Sequence, residues 1–419
     1  MPQTKNEHQT AVITGLGTLS PLGNSVNELW DGLKAGRSGI APLSLMDATQ
    51  YPCGIGGEVR NWDPTTVMDR KEARRMARFS RLAVGATYEA ISDARLDMAM
   101  VEPERVAVLL GCGSGGLPET EQACRILVQK GGMRISPYYM PSMLANMATA
   151  NVSRIFGALG YTNTCITACA AGTQAIGEAA EVIRRGTADV IITGGTEAGI
   201  CALGMGGFST IHALSTKMND HPDKASRPFD AERDGFVPAE GAAVLILESL
   251  EHATARNARI YGEVAGWSAT SDAFHLVQPH AEGTGAARAM HLALENAGLQ
   301  VEDIDYINAH GTSTPANDAS ETKAIKLAFG KAAYETPISS TKSMIGHSLG
   351  ASGAIEAIAC IKTIEQGIIH PTINYATLDP ECDLDYVPNK ARKATVNTVL
   401  SNSFGFGGQN ACIVLKKIT

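Results

Sequence analysis

Two pairs of similar segments, with one member of each pair in each half of the chain, constrain the fold most. Val108–Gly116 (VLLGCGSGG) is an apolar run that enters a Gly-rich turn, and Tyr306–Thr314 (YINAHGTST) has the same form. Thr167–Ala180 (TACAAGTQAIGEAA) and Gly346–Ile358 (GHSLGASGAIEAI) each lead from a turn into an Ala-rich helix. A spacing of about 180–200 residues predicts a duplicated fold joined near Glu248–Arg259. Chance similarity between Ala/Gly-rich helices is the alternative.

Short apolar runs alternate with helical patterns, which is typical of a layered α/β protein. Buried strands in such proteins are short and continuously apolar. At 419 residues the chain is too long for one simple core, so we expect two α/β units or one duplicated unit. The candidate helices are Ala170–Arg185 and Ala351–Gln366. The candidate strands are Thr10–Thr14, Arg105–Leu110, Asp189–Thr193, Ile304–Ala309, Thr336–Ser340 and Ala411–Leu415.

Charge and cysteine content exclude several classes of protein. The net charge of −8 argues against nucleic-acid binding. Nine scattered cysteines indicate reduced thiols and a cytoplasmic protein, without the ligand spacing of a metal site. The N-terminal MPQTKNEHQT lacks the apolar core of a signal peptide. The uncharged stretch Ala198–Thr216 contains several glycines and a histidine, so we expect no membrane span.

Cys169 lies at a predicted strand-to-helix junction, where a cysteine has two advantages. The free N–H groups of the first helical turn favour a thiolate. The same groups can hold a developing oxyanion. The flanking Ala and Gly residues leave room for a substrate. A small buried cysteine without a reactive role is the alternative interpretation.

His310 and His347 occupy comparable places in the second half of the chain. His310 follows the apolar run IDYINA, and His347 precedes the second Ala-rich helix. Either alone is more typical of a hydrogen-bonded structural histidine, but Cys plus His is the minimal arrangement for a nucleophile. Lys342 and Glu321 are candidates for an ion pair beneath the histidines, or for an ordinary surface pair.

Two Gly-rich segments allow different interpretations. In SNSFGFGGQN, Ser401–Asn410, alternating Phe and Gly predict a flexible loop whose backbone can approach a ligand. Phe404 or Phe406 would then cover an apolar pocket, unless the segment is a simple turn. GLGTLSPLG, Gly15–Gly23, lacks the third glycine of a dinucleotide-binding motif, so we expect no nucleotide site.

Four separated motifs together resemble the β-ketoacyl-ACP synthases, and most closely their KAS II type. They are TAC at Cys169, NAHGTSTPAND at His310, STKSMIGHSLGASGA at His347, and NSFGFGG near the end, with SRPFDAERDGFVPAEGA between them. The resemblance implies a thiolase-like αβαβα sandwich of two duplicated halves. We place the halves at residues 1–255, with Cys169, and 256–419, with His310 and His347. A homodimer is also implied.

The resemblance implies a 3-oxoacyl-ACP synthase, a condensing acyltransferase of fatty-acid elongation that needs no cofactor and no metal. Cys169 would carry the acyl group. His310 and His347 would assist loss of CO₂ from malonyl-ACP and stabilise the enolate. The N–H groups of Cys169 and Phe406 would form the oxyanion hole. Lys342 and Glu321 would form the supporting ion pair.

The resemblance also implies substrate contacts and a carrier partner. Thr312 and Thr314 match hydroxyls that contact the pantetheine arm, and Phe406 matches the gating aromatic between the acyl pocket and the entrance. Ser114 stands where this type often has a bulky apolar residue, which predicts a wider or more polar acyl pocket. The basic residues implied to dock the acyl carrier protein are Lys71, Arg74, Arg75 and Arg134, although Met133 and His212 replace residues that are often basic.

Three other functions remain open from the sequence. The same motifs serve the ketosynthase subunit of a type II polyketide synthase, possibly paired with a chain-length-factor homologue. A non-catalytic chain-length partner is disfavoured because Cys169 and both histidines are intact. A biosynthetic thiolase generally uses a different cysteine and histidine set, and NAHGTSTP favours the decarboxylating type.

Overall fold

The computed structural model describes residues 9–418, in which strands and helices alternate. The strands are Ala11–Leu19 (β1), Ala41–Pro42 (β2), Ile55–Gly56 (β3), Val106–Gly111 (β4), Thr162–Cys165 (β5), Val190–Glu197 (β6), Gly241–Ser249 (β7), Gly262–Ser271 (β8), Tyr306–Asn308 (β9), Ile338–Ser339 (β10), Ile368–Ile369 (β11), Arg392–Lys393 (β12), Thr398–Gly405 (β13) and Gln409–Lys416 (β14). The helices are Val26–Lys34 (α1), Arg70–Arg75 (α2), Arg78–Ala94 (α3), Leu117–Lys130 (α4), Tyr139–Met143 (α5), Met147–Phe156 (α6), Ala171–Arg184 (α7), Ala202–Thr210 (α8), Leu250–Ala255 (α9), Thr284–Ala297 (α10), Pro315–Phe329 (α11), Lys342–Ile345 (α12) and Ser352–Gln366 (α13).

Ten of the strands form one mixed sheet in the order β10-β9-β13-β14-β8-β1-β7-β6-β4-β5. Its two sides join where β1 pairs antiparallel with β8, through Val12 opposite Glu263 and Ile13 opposite Gly262. Each side combines antiparallel pairs near this junction with parallel pairs toward its outer edge. The N-terminal half therefore supplies one set of five strands and the C-terminal half the other.

The two sets of strands have the same topology. Counted outward from the junction, the first side runs β1, β7, β6, β4, β5 and the second runs β8, β14, β13, β9, β10. Both follow the order first, fifth, fourth, second, third among their own five strands. This repetition accounts for the paired segments of the sequence, because each strand and the helix that follows it occupy equivalent places in the two halves.

The helices α7 and α13 form a central layer that both sets of strands cover. Each contacts strands of both sides, while α3 packs on the outside of the first set and α10 on the outside of the second. Almost every residue of α13 is buried, including Glu356 and Lys362. A helix covered on all sides must be apolar and small nearly all round, which explains the Ala and Gly content of both central helices.

All six predicted strands and both predicted helices are present, with ends that shift by a few residues. The apolar runs did not predict β5, β7, β8 and β13, among others, and β5 was expected only as the strand before Cys169. β5 has the sequence TNTC, with Thr162 and Asn163 exposed at the sheet edge. Because an edge strand is covered on fewer sides than a central one, it does not show the continuous apolar run on which the predictions relied.

Two predictions concerned a membrane span and the N-terminal stretch. No helix within residues 9–418 combines the length and the apolar character needed to cross a membrane. Most of the polar N-terminal stretch MPQTKNEHQT lies outside the described residues.

Because the central helices are in close contact, replacing glycine by alanine should destabilise the fold at Gly172 of α7 but not at Gly207 of α8. A Cβ on Gly172 of α7 would lie 2.8 Å from the Gly350 carbonyl oxygen and 3.0 Å from the Ala354 nitrogen. These backbone atoms cannot move aside cheaply, so Gly172→Ala is expected to lower the free energy of unfolding by about 1–3 kcal/mol. Urea denaturation measures the change.

Gly207 of α8 is the matched control, because a Cβ there meets no atom within 4 Å. Gly207→Ala is expected to be neutral or to stabilise by up to about 1 kcal/mol, since alanine favours helix over glycine. Equal effects of the two substitutions would contradict the close packing of α7 against residues 350–354.

Candidate active site

Cys169 lies where the edge strand β5 turns into the central helix α7. A single 3₁₀ turn, Ala168–Ala170, leads directly into the helix. Ala168 has a φ of +49°, a conformation that costs energy in a residue other than glycine and that clusters at functional turns. The turn leaves Cys169 buried, at the wall of a cavity.

Two backbone N–H groups surround the sulfur of Cys169. Those of Phe406 and of Cys169 itself lie close enough to lower the pKa of the thiol. Gly405 brings the end of β13 against this turn, because a Cβ there would lie 3.0 Å from the Cys169 nitrogen and 2.9 Å from the Thr167 oxygen. Glycine permits this approach. The two donors can therefore also hold a negatively charged oxygen on a carbon bonded to the sulfur.

Both histidines lie beside Cys169. Nε2 of His347 is 3.1 Å from the sulfur, and Nδ1 of His347 is 3.0 Å from the hydroxyl of Ser352. The rings of His310 and His347 are 5.3 Å apart and nearly perpendicular. Nδ1 of His310 has no hydrogen-bond partner within residues 9–418. The structure thus brings together the three side chains that the sequence singles out.

Burial decides the protonation of both imidazoles. It lowers the pKa of His310 and of His347 well below 6.5, and the nearby ammonium of Lys342 lowers both further. Both rings are therefore neutral at pH 7. A neutral imidazole can accept a proton at one nitrogen and donate one from the other.

The same burial opposes ionisation of Cys169. It raises the pKa of the thiol to about 12, more than Lys342 and the two N–H groups lower it. The N–H groups at the helix start lower the pKa of the thiol as expected, but burial outweighs them, so the resting thiol is uncharged. Because the uncharged thiol is a weak nucleophile, it needs a nearby base when it reacts, and His347 is in contact with it.

Lys342 and Glu321 do not form the expected ion pair. Lys342 is fully buried and pairs with Glu356 of α13. The carboxylate oxygens of Glu321 instead accept the backbone N–H groups of His310 and Gly311, each at 2.7 Å. Both oxygens are thus occupied by the loop that carries His310, which leaves Glu356 as the partner of Lys342. Burial raises the pKa of Glu321 to about 7.

A cavity of about 290 Å³ opens onto the three side chains. Thr312 and Thr314, whose hydroxyls lie 2.9 Å apart, line one wall. Phe404 and Phe406 line another, and the ring of Phe404 lies 5.7 Å from that of His310. The structure therefore places these four predicted substrate contacts in one channel with Cys169.

Ser114 does not line this channel. Its hydroxyl donates to the carboxylate of Glu197 at 2.6 Å. Glu197 is fully buried and also accepts the N–H groups of Gly113 at 2.8 Å and Gly350 at 3.1 Å. The carboxylate thus joins the turn after β4 to the turn after His347, and Ser114 lies in a polar cluster.

The predicted docking residues share one region of the surface. Lys71, Arg74 and Arg75 belong to α2, and the guanidinium of Arg75 lies 5.3 Å from the centre of the Tyr138 ring. Arg134 lies four residues before Tyr138, in a 3₁₀ turn between α4 and α5. Because Arg75 of α2 contacts Tyr138, α2 lies near the turn that carries Arg134.

Cys169, His310 and His347 are also the one group of three potential metal ligands within the part of the chain that the structure describes. Their nearest ligand atoms all lie within 4.8 Å of one another. Thiolate and imidazole are ligands that zinc accepts. The expectation of no metal and no cofactor remains a prediction from the sequence.

Sequence reasoning missed three residues that support the site: Ser352, Glu356 and Glu197. Glu356 is the one acidic residue in the predicted helix start GASGAIEAI, and Glu197 ends the apolar strand β6. A carboxylate within an apolar run is unusual enough to predict a buried partner. Ser352 offers no such signal, because its role depends on the orientation of His347.

Comparison with known proteins agrees with this geometry. Residues 9–253 match the family model "Beta-ketoacyl synthase, N-terminal domain" and residues 261–376 match "Beta-ketoacyl synthase, C-terminal domain". The chain belongs to the β-ketoacyl synthase family. The predicted family, fold class and condensing acyltransferase class are confirmed.

One relative and two solved structures show how far the similarity extends. The 3-oxoacyl-[acyl-carrier-protein] synthase 2 of Synechocystis sp. is 50% identical over 98% of this chain and 99% of its own length. A type II polyketide ketosynthase, solved with its acyl carrier protein and bound to the hexaketide, has a TM-score of 0.90 at 36% identity, covering 99% of this chain and 100% of its own. The ishigamide ketosynthase/chain length factor has a TM-score of 0.93 at 35% identity, covering 98% and 100%.

The raised thiol pKa predicts how Cys169 reacts with iodoacetamide. Alkylation should rise about tenfold per pH unit from about pH 7 to about pH 9.5 without a plateau, because only the thiolate reacts. His347→Ala should slow alkylation near pH 7, since Nε2 then no longer accepts the proton. Mass spectrometry of the Cys169 peptide measures both rates.

Cys124 on α4 is exposed and provides an internal reference in the same spectra. A plateau in the alkylation of Cys169 below about pH 8 would show that the N–H groups and Lys342 outweigh burial. An unchanged alkylation rate in His347→Ala would contradict the role of His347 as the base that accepts the thiol proton.

Proposed function

We propose that the protein is a 3-oxoacyl-[acyl-carrier-protein] synthase of fatty-acid elongation. It transfers an acyl group from its carrier to Cys169 and then condenses that group with malonyl carrier. The observation that carries the proposal is the meeting of the Cys169 sulfur with two neutral imidazoles at one end of a channel. The activity named for a 50% identical relative supports it.

In the first step the sulfur of Cys169 attacks the thioester carbonyl of the acyl carrier. Nε2 of His347 accepts the thiol proton, and the N–H groups of Cys169 and Phe406 hold the oxyanion. The intermediate collapses as the carrier sulfur leaves, and His347 returns the proton to that sulfur. One such N–H donor typically contributes about 10²–10³ to the rate.

In the second step the malonyl thioester loses its carboxylate as CO₂. The electron pair of the broken carbon–carbon bond passes into an enolate. Its oxygen accepts hydrogen bonds from Nε2 of His310 and from Nε2 of His347, whose neutral ring now carries its proton on Nε2 while the Ser352 hydroxyl donates to Nδ1. The enolate carbon attacks the acyl carbonyl on Cys169. Expulsion of the thiolate releases 3-oxoacyl carrier, and Cys169 regains a proton from solvent. Loss of CO₂ drives the reaction, so it requires no ATP and no redox cofactor.

Lys342 and Glu321 act through other groups in this scheme. Lys342, paired with Glu356, keeps both imidazoles uncharged by repelling an added proton. Glu321 fixes the backbone of His310 and Gly311. We propose that both are supporting residues, and that their roles are independent because each has its own partner.

The carrier arm would enter the channel past the hydroxyls of Thr312 and Thr314, with Phe404 and Phe406 at the inner end. Lys71, Arg74, Arg75 and Arg134 would bind the acidic surface of an acyl carrier protein. A structural relative solved with its acyl carrier protein supports this partner.

A type II polyketide ketosynthase is the second candidate function. One structural neighbour is a type II polyketide ketosynthase, and another is a ketosynthase/chain length factor. Ser114, which the structure places in a polar cluster with Glu197 and not in the channel, also favours it, because the KAS II type often has a bulky apolar residue at that position. In that case the partner would be a chain-length-factor homologue rather than a second copy.

We propose a homodimer that works in the cytoplasm, with halves divided at residues 255 and 256. The edge strand β5 supports the dimer, because an unpaired strand edge can pair with another chain. Exposed Leu159, Tyr161 and Ile166 flank that strand. All nine cysteines lie within the described residues and are free, which agrees with a reducing compartment.

The proposal is tested by incubating the protein with acyl carriers of defined chain length and malonyl carrier. Mass spectrometry should detect an acyl group on Cys169 and a 3-oxoacyl product two carbons longer. Cys169→Ala should lose both, because no other side chain occupies the position between the N–H donors. Condensation at the wild-type rate in Cys169→Ala would end the proposal.

We propose that the acyl chain extends past Cys169 toward Ser114, outside the channel described above. Ser114→Ile is then expected to shorten the preferred acyl chain, because the larger side chain occupies part of that path. Turnover of the longest accepted chain should fall by about tenfold or more. Ser114→Ala is the matched control, since it removes the hydrogen bond to Glu197 without adding volume. An unchanged length preference in Ser114→Ile would remove Ser114 from the pocket.

Arg74→Glu combined with Arg75→Glu is expected to raise the KM for the acyl carrier protein by about fivefold or more, with kcat preserved, because the change repels an acidic carrier. Added salt should reduce the difference. Lys390→Glu with Lys393→Glu makes the same charge change at exposed residues near β12 and should leave the KM unchanged. Equal effects of the two pairs would refute the docking assignment.

A further inference from the structure

The loop between His310 and α11 forms the wall of the channel that carries Thr312 and Thr314. Ser313, between the two threonines, has a φ of +70°. A serine holds this conformation only where neighbouring groups fix it. The two threonine side chains therefore depend on contacts that hold the loop from behind.

Those contacts come from the SRPFDAERDGFVPAEGA segment, which the proposed chemistry leaves without a role. The hydroxyl of Ser313 accepts the N–H of Arg227 at 3.0 Å, and its carbonyl accepts the N–H of Gly235 at 3.1 Å. The carboxylate of Asp318 accepts the N–H of Thr312 at 3.0 Å and that of Phe229 at 2.8 Å. The segment thus holds the loop at several points.

Arg233 makes the side-chain part of this connection. Its guanidinium is 4% exposed and donates to the carbonyls of Thr314 at 3.4 Å and Pro315 at 3.2 Å. It also donates to the carbonyl of Asp230 at 2.8 Å and pairs with Asp379 at 2.5 Å, and its Nε lies 3.6 Å from Asp318. Arg233 therefore connects both ends of the loop, through Asp318 to Thr312 and directly to Thr314.

Arg233 itself does not line the channel, so it does not touch a substrate there. We propose that Arg233 is a positioning residue that sets the two threonine hydroxyls for the amide groups of the pantetheine arm. This inference rests on the proposed function, because it assumes that the arm enters this channel. Arg233 acts on binding of the arm and leaves the reacting groups at Cys169 undisturbed.

The test compares Arg233→Gln with the wild-type protein on two malonyl donors. For malonyl carrier the KM should rise about tenfold while kcat stays within about twofold, the pattern of lost binding that is equal in ground and transition states. For malonyl ethyl thioester, which lacks both amides of the arm, the KM should not change. Alkylation of Cys169 by iodoacetamide should also be unchanged.

Arg227→Gln is the matched control. Arg227 is a buried arginine of the same segment, but its guanidinium donates to the Lys224 carbonyl and to Glu232 rather than to the loop. Its backbone contact to Ser313 survives the substitution. The KM of this variant for malonyl carrier should match that of the wild-type protein.

Several results would overturn the inference: an unchanged KM in Arg233→Gln, an equal rise for both donors, or an equal rise in Arg227→Gln. If Arg233→Gln does not fold, Asp379→Ala removes one partner of the guanidinium at a site that is 15% exposed. That variant should show a smaller rise in KM for malonyl carrier only, and an unchanged KM would refute the proposal. A wild-type protein that does not condense malonyl carrier would refute the proposed function instead.

Discussion

The contact between the sulfur of Cys169 and Nε2 of His347 is the interaction on which the site depends. The cysteine lies in the turn before the central helix of the N-terminal half, and the histidine precedes the central helix of the C-terminal half. The contact forms only when α7 and α13 pack closely, with the turns before them side by side. The small residues of these helices permit that approach, so the duplicated fold and the active site are consequences of one packing arrangement.

Burial controls the chemistry of this site more than the helix start does. It raises the pKa of the Cys169 thiol and lowers the pKa of both histidines, so the three groups are uncharged together. The buried ion pair of Lys342 and Glu356 places a positive charge near the three groups, although burying both charges costs desolvation energy. Removing one partner of such a pair leaves an uncompensated buried charge, which explains why the unpredicted Glu356 accompanies the predicted Lys342.

The sequence predicted the parts of the structure that local pattern determines. Apolar runs identified the buried strands and helices, and the turns at Cys169, His310 and His347 indicated where polar groups meet. Partner choice was not predictable in the same way. Glu321 and Glu356 are both acidic residues of helices, and only the packing of α11 and α13 decides which one reaches Lys342. The thiol pKa likewise depends on burial, which a one-dimensional pattern does not measure.

The central claim is that the sulfur of Cys169 carries the acyl group that becomes part of the product. The most direct test isolates the protein with a labelled acyl group on Cys169, adds malonyl carrier without free acyl donor, and follows a single turnover. We predict that the label leaves Cys169 and enters 3-oxoacyl carrier as an equal amount of CO₂ is released. Label that stays on Cys169 while product forms would contradict the account.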